Sequence, residues 1–161
     1  MNAPESKRNG VPKGQPEPRE IAHAALRGAI AAMAMTGMRI LTQDLGIVKE
    51  SPPQAIVRQR VKGFLRSVPG QHRRAAIEVA HWTYGAGGGA LFGALPAEVR
   101  RRRWFGPLYG LGIWAGFELV IAPVLALRQA KEPRVVERLA LAVDHLLYGL
   151  VLSETRAQPR R

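Results

Sequence analysis

Five residues in this chain carry side chains suited to proton, ion or metal chemistry and sit within otherwise apolar stretches: Glu78, His81, Glu118, Asp144 and His145. Chains of carboxylates and imidazoles are the usual material of intramembrane proton relays. Two histidines and two carboxylates also suffice as ligands for a divalent metal, although the only local ligand spacing is the single ExxH of Glu78 and His81. The third use of such a set is a hydrogen-bonded lock between helices. Serines and threonines have no base at a useful spacing, so nucleophilic catalysis, and with it an enzyme, is not expected. The absence of cysteine excludes disulfides and thiolate metal sites, and no cofactor is expected.

The element that must position these groups runs from Phe105 to Leu127, with Glu118 as its one charged side chain. Its about 23 residues reach about 34 Å as a helix, against about 30 Å of bilayer hydrocarbon. No polar stripe of the kind a water-facing helix needs recurs along it. Arg100, Arg101, Arg102 and Arg103 precede it, Arg128 and Lys131 follow it, and Trp104 and Tyr109 sit near its start as interfacial aromatics do. Gly110, Trp114, Glu118 and Ala122 fall on one face, and further small-residue positions come from Gly106, Gly112 and Gly116. Pro123 removes the donor for the Leu119 carbonyl, which predicts a bend near Glu118.

Three more helices are expected around it. The first spans about 21–45, with Gly46 placed to end it and Ala24, Gly28, Ala32 and Thr36 forming a small-residue stripe. Arg27 and Arg39 flank its uncharged centre, where each is expected to snorkel to an interface. The second, about 75–95, carries Gly85, Gly89 and Gly93 as a continuous GxxxGxxxG stripe, with His81 one turn earlier on the same face. Such glycine density costs about 1 kcal/mol per residue in water but permits close helix contact in lipid. The last, about 135–154, holds Asp144 and His145 at its middle. His81 opposite Asp144, and Glu118 opposite His145, are the expected pairings, because a lone charge at the bilayer centre costs at least about 2.5–3.5 kcal/mol.

Between the first two spans, Val57, Val61, Phe64, Leu65 and Val68 share a helical face while Arg58, Lys62 and Arg66 point elsewhere. This pattern fits either a basic interfacial helix on anionic lipid or a short helix resting on the protein itself. Residues 1–20, rich in proline, glycine and charge, read as a disordered basic tail without the apolar core of a signal peptide; residues 157–161 form a second tail. The net charge of +12 would suit a soluble nucleic-acid binder, the alternative of a different class. The charges collect in tails and connections, however, so anionic headgroups account for them and no nucleic-acid partner is expected.

In its second half the chain resembles the YagU-like family of small bacterial inner-membrane proteins. The likeness lies in the order of features: His81, Tyr84 and Gly85 on one helix; then a Gly-rich helix closing in Ile121, Ala122, Pro123, Val124 and Leu125; then Glu137, His145, Tyr148, Glu154 and Arg156 on the last. It covers about residues 75–156 and implies a four-span inner-membrane protein without an assigned chemistry. The fold expected is therefore all-α: a four-helix transmembrane bundle in up-down-up-down order over residues 21–156, with the basic helix in its first loop. Basic residues on the two sides balance. The arginine run in the tightest connection places both termini in the cytoplasm. The expected function is non-enzymatic, through helix association with a second copy or a membrane partner, and the alternative is a proton or ion conductor using the acid and histidine cluster.

Overall fold

Proline tolerates the first turn of a helix because its missing N–H has no partner there anyway. In the computed structural model, which describes residues 16–47, 56 and 57, 68–127 and 135–153, Pro18 opens helix α1 (Pro18–Asp44). The start lies ahead of the expected Ile21, so Pro18, Arg19 and Glu20 belong to a helix and not to a tail. Gly46 closes α1 with φ +69°. The Gly46 N–H donates to the Gln43 carbonyl and the Ile47 N–H to that of Thr42, the paired bonds of a Schellman cap.

A 3₁₀ turn, Gly70–His72, leads into α2 (Arg73–Gly93), and the short α3 (Ala97–Arg100) follows. Helix α4, Phe105–Val124, is continuous but changes pitch: Phe105–Gly116 is α-helical, Phe117–Ile121 is a π turn, and Ala122–Val124 returns to α. In the π turn the Ala122 N–H reaches the Phe117 carbonyl, five residues back. Pro123 thus marks a local change of helical winding around Glu118. Helix α5 is Val135–Ser153, and the described residues contain no strand. Of these helices, α1 and α4 are long and apolar enough to cross a membrane, with mean hydropathy 1.3 and 1.4; α2 and α5 do not qualify by the same measure.

Two antiparallel pairs make the fold. In the first, the small-residue stripes of α1 and α2 face each other: Gly85 lies against Ala32 and Gly28, Gly89 against Ala24 and Gly28, and Gly93 against Ala24 and Ile21. A Cβ on Gly93 would come within 2.7 Å of the Ala24 Cβ, and one on Gly89 would strike the Ala24 carbonyl oxygen. In the second pair, Gly106 and Gly110 of α4 meet Gly149 and the His145 carbonyl of α5 in the same manner. Gly112 and Gly116 correct the expectation for this helix, because both would accept a Cβ into open space. One small-residue face, not two, packs against α5.

Helix α1 also lies against α5, and two tyrosines tie the pairs together. The Tyr148 hydroxyl donates to the Gly85 carbonyl at 2.6 Å and the Tyr109 hydroxyl to that of Gly88 at 2.7 Å. Around them Phe92 stacks on Phe105 (centroids 6.0 Å apart) and meets Tyr109 edge-on at 5.2 Å. Near the same end, Arg100 donates to the Leu95 carbonyl and pairs with Glu20 at 2.6 Å, holding one of the four link arginines against the start of α1. The basic helix expected between α1 and α2 lies outside the described residues, except that Ile56 and Val57 are helical. The tails 1–15 and 154–161 also lie outside them.

Candidate functional site

Helices α2 and α4 meet at Phe92, Phe105 and Tyr109 and part towards their other ends, leaving a cavity of about 320 Å³. All four long helices line it: Met35 and Arg39 from α1, Ile77, His81 and Tyr84 from α2, Trp114, Phe117 and Ile121 from α4, and Leu141, Asp144 and His145 from α5. Ile56 and Val57 of the first connection also border it. The wall is apolar and aromatic, with its polar groups few and specific.

Of the five candidates, the structure brings His81, Asp144 and His145 to this wall. The Asp144 side chain is buried; no hydrogen bond or ion pair among the described residues meets it, and the charge of Arg39 on the same wall acts on it. His145 Nδ1 donates to the Leu141 carbonyl at 2.8 Å, one turn back, which fixes the ring. His81 Nε2 is buried without a hydrogen-bond partner, and so is Trp114 Nε1. The expected His81–Asp144 pairing is thus a shared cavity wall and not a direct bond.

The other two carboxylates have found arginines. Arg39 Nη2 reaches both Glu78 oxygens at 2.6 Å, and Thr36 Oγ1 donates to Glu78 Oε2 at 2.9 Å. Trp82 Nε1 completes the network on Thr36 Oγ1 at 3.1 Å. Arg39 is accordingly buried, which corrects its reading as an interface-seeking side chain. The guanidinium is held inside because the part-buried Glu78 carboxylate offers what headgroups would otherwise supply. Glu118 differs from expectation for a similar reason. The π turn directs it to Arg138 of α5, with Nε 3.1 Å from Oε2, and not to His145. The two charges are adjacent without being aligned as a hydrogen bond.

Sequence reasoning thus missed Arg39, Thr36 and Arg138 as partners of the acids. The available signal was arithmetic: each acid in an apolar run needed a base, and Arg27, Arg39 and Arg138 were the three arginines within the expected spans, near their ends. No group of three or more His, Asp or Glu that could hold a metal ion occurs among the described residues. Compared with family models, with curated proteins and with solved structures, the chain shows no match.

Proposed function

We infer that this chain is a small polytopic protein of a bacterial plasma membrane. It crosses the bilayer four times in up-down-up-down order with both termini cytoplasmic, catalyses no reaction, and acts through association with a second copy or a membrane partner. The observation that carries this reading is the placement of charge against apolar surface. Arg39, Glu118 and Asp144 are only 5%, 7% and 6% exposed, whereas Leu119 and Val124 are 77% and 78% exposed. Leu26, Ile30, Leu91, Leu108, Leu139 and Leu150 lie on the outside as well, so apolar surface runs along all four long helices. In water an apolar surface of this extent would drive aggregation. In hydrocarbon it costs nothing, and the polar groups must then be satisfied inside.

Helices α2 and α5, at 21 and 19 residues, reach about 30 Å each, enough to accompany α1 and α4 across the hydrocarbon. The glycine contacts support the same reading, since close backbone approach replaces the hydrophobic effect as the force that associates helices in lipid. A soluble nucleic-acid binder would need the reverse arrangement, with its arginines outside and its leucines within. Alkaline carbonate extraction of membranes from expressing cells tests the assignment: the protein should stay in the pellet, and release into the supernatant refutes it.

A further inference from the structure

The cavity has an acid and no ligand chemistry assigned to it. Its wall carries Arg39, whose guanidinium is held by both oxygens of Glu78, and Asp144, which no hydrogen bond or ion pair among the described residues meets, although the Arg39 charge also acts on it. With Glu118 beside Arg138, the three acids Glu78, Glu118 and Asp144 face two arginines, Arg39 and Arg138, among the described residues. The rings of Tyr84, Trp114 and Phe117 line the same cavity as Asp144. An aromatic face attracts a cation through its quadrupole, most strongly where water is excluded.

The lining also decides what kind of cation. A small inorganic ion would need several oxygens to replace its hydration shell, and one carboxylate with the His81 and His145 imidazoles, beside the Arg39 guanidinium and otherwise aliphatic and aromatic side chains, does not supply them. A cation whose charge is spread beneath an apolar surface loses little hydration and gains the wall contacts. The volume lies at the lower end of ordinary small-molecule sites, about 300–1,000 Å³. Tyr84 both lines the cavity and is 60% exposed, so its ring stands at the edge of the cavity on the outer surface of α2. Under the membrane placement inferred above, on which this step rests, that edge faces lipid, so the proposed ligand is one that partitions into the bilayer.

We propose that the cavity is a binding site for a monovalent lipophilic cation, an aryl- or alkyl-substituted onium, with Asp144 as its counter-charge and Tyr84, Trp114 and Phe117 as the surrounding rings. The test uses tetraphenylphosphonium and its isosteric anion tetraphenylborate, titrated by equilibrium dialysis against the full chain in detergent micelles. The phosphonium should bind saturably, and the borate at least about tenfold more weakly. Asp144→Asn should lower phosphonium affinity at least about tenfold while Asp144→Glu retains it. Tyr84→Leu, a change at an exposed position that leaves the fold intact, should weaken it by about threefold. Absence of saturable phosphonium binding, equal affinity for the borate, or unchanged affinity in both Asp144→Asn and Tyr84→Leu would each overturn the assignment. Liposome flotation of the same preparation separates the two levels of inference. A protein that floats but does not bind the phosphonium keeps its membrane placement and loses the site, whereas one that does not float loses the placement itself.

Discussion

Glu78 shows most directly how the interior charges depend on one another. Its two oxygens take Arg39 and the Thr36 hydroxyl, and Trp82 holds that hydroxyl from the other side. Glu78→Ala therefore strands a guanidinium that is almost fully buried, and the expected loss is about 3–5 kcal/mol. The double replacement Arg39→Met with Glu78→Leu removes both charges and leaves packed apolar side chains, so most of that loss should be recovered. Unfolding in mixed micelles, followed by circular dichroism, checks both, and a double variant as unstable as the single one would contradict the pairing. At this scale the sequence was half legible. The buried acids were visible as charges in apolar runs, but their partners were not. Arg39 and Arg138 look like arginines at span ends, and what separates them from those is a contact 39 or 20 residues away along the chain.

The helices themselves were easier to read than their windings. Gly46 announces the end of α1 because glycine accepts a positive φ without steric cost. The end of α4 carries no such mark: the residue in the left-handed region is Ala126, with φ 46°. There the Leu127 N–H donates to the Ala122 carbonyl and the Ala126 N–H to that of Pro123, a Schellman cap sealed by the buried side chains of Ala122 and Leu127. Glycine stripes posed a related problem, since sequence spacing identifies a face but not whether anything meets it. Gly89 and Gly112 separate the two cases experimentally. Gly89→Val should destabilise by about 1–3 kcal/mol, because its Cβ collides with the backbone of α1. Gly112→Ala, opening onto free space, should be neutral or stabilising by up to about 1 kcal/mol through its better helix propensity. Equal effects of the two in the same unfolding assay would show that the α1–α2 contact is not made through this stripe.

Across the whole molecule the close contacts are unevenly distributed. Within each pair, backbone meets backbone at glycine, and α1 meets α5, whereas α2 and α4 are joined at one end and separated by the cavity for the rest. Sliding inside a pair would drive carbonyl oxygens into glycine Cα atoms, so neither pair has slack along its length. The freedom expected to remain is a swing of one pair on the other along the α1–α5 seam, opposed by the hydrogen bonds of Tyr109 and Tyr148 to α2. Each of these bonds is worth about 1 kcal/mol. Replacing both tyrosines by phenylalanine should broaden the distance distribution between spin labels at the exposed positions Val79 and Val120, on α2 and α4. Labels within one pair should keep a narrow distribution, and broadening in both would mean that the pairs are not stiff units. A molecule jointed in this way sets the width of its central chamber with two hydroxyl groups, so losing a single oxygen atom from either would retune the gap without altering any residue that lines the chamber floor.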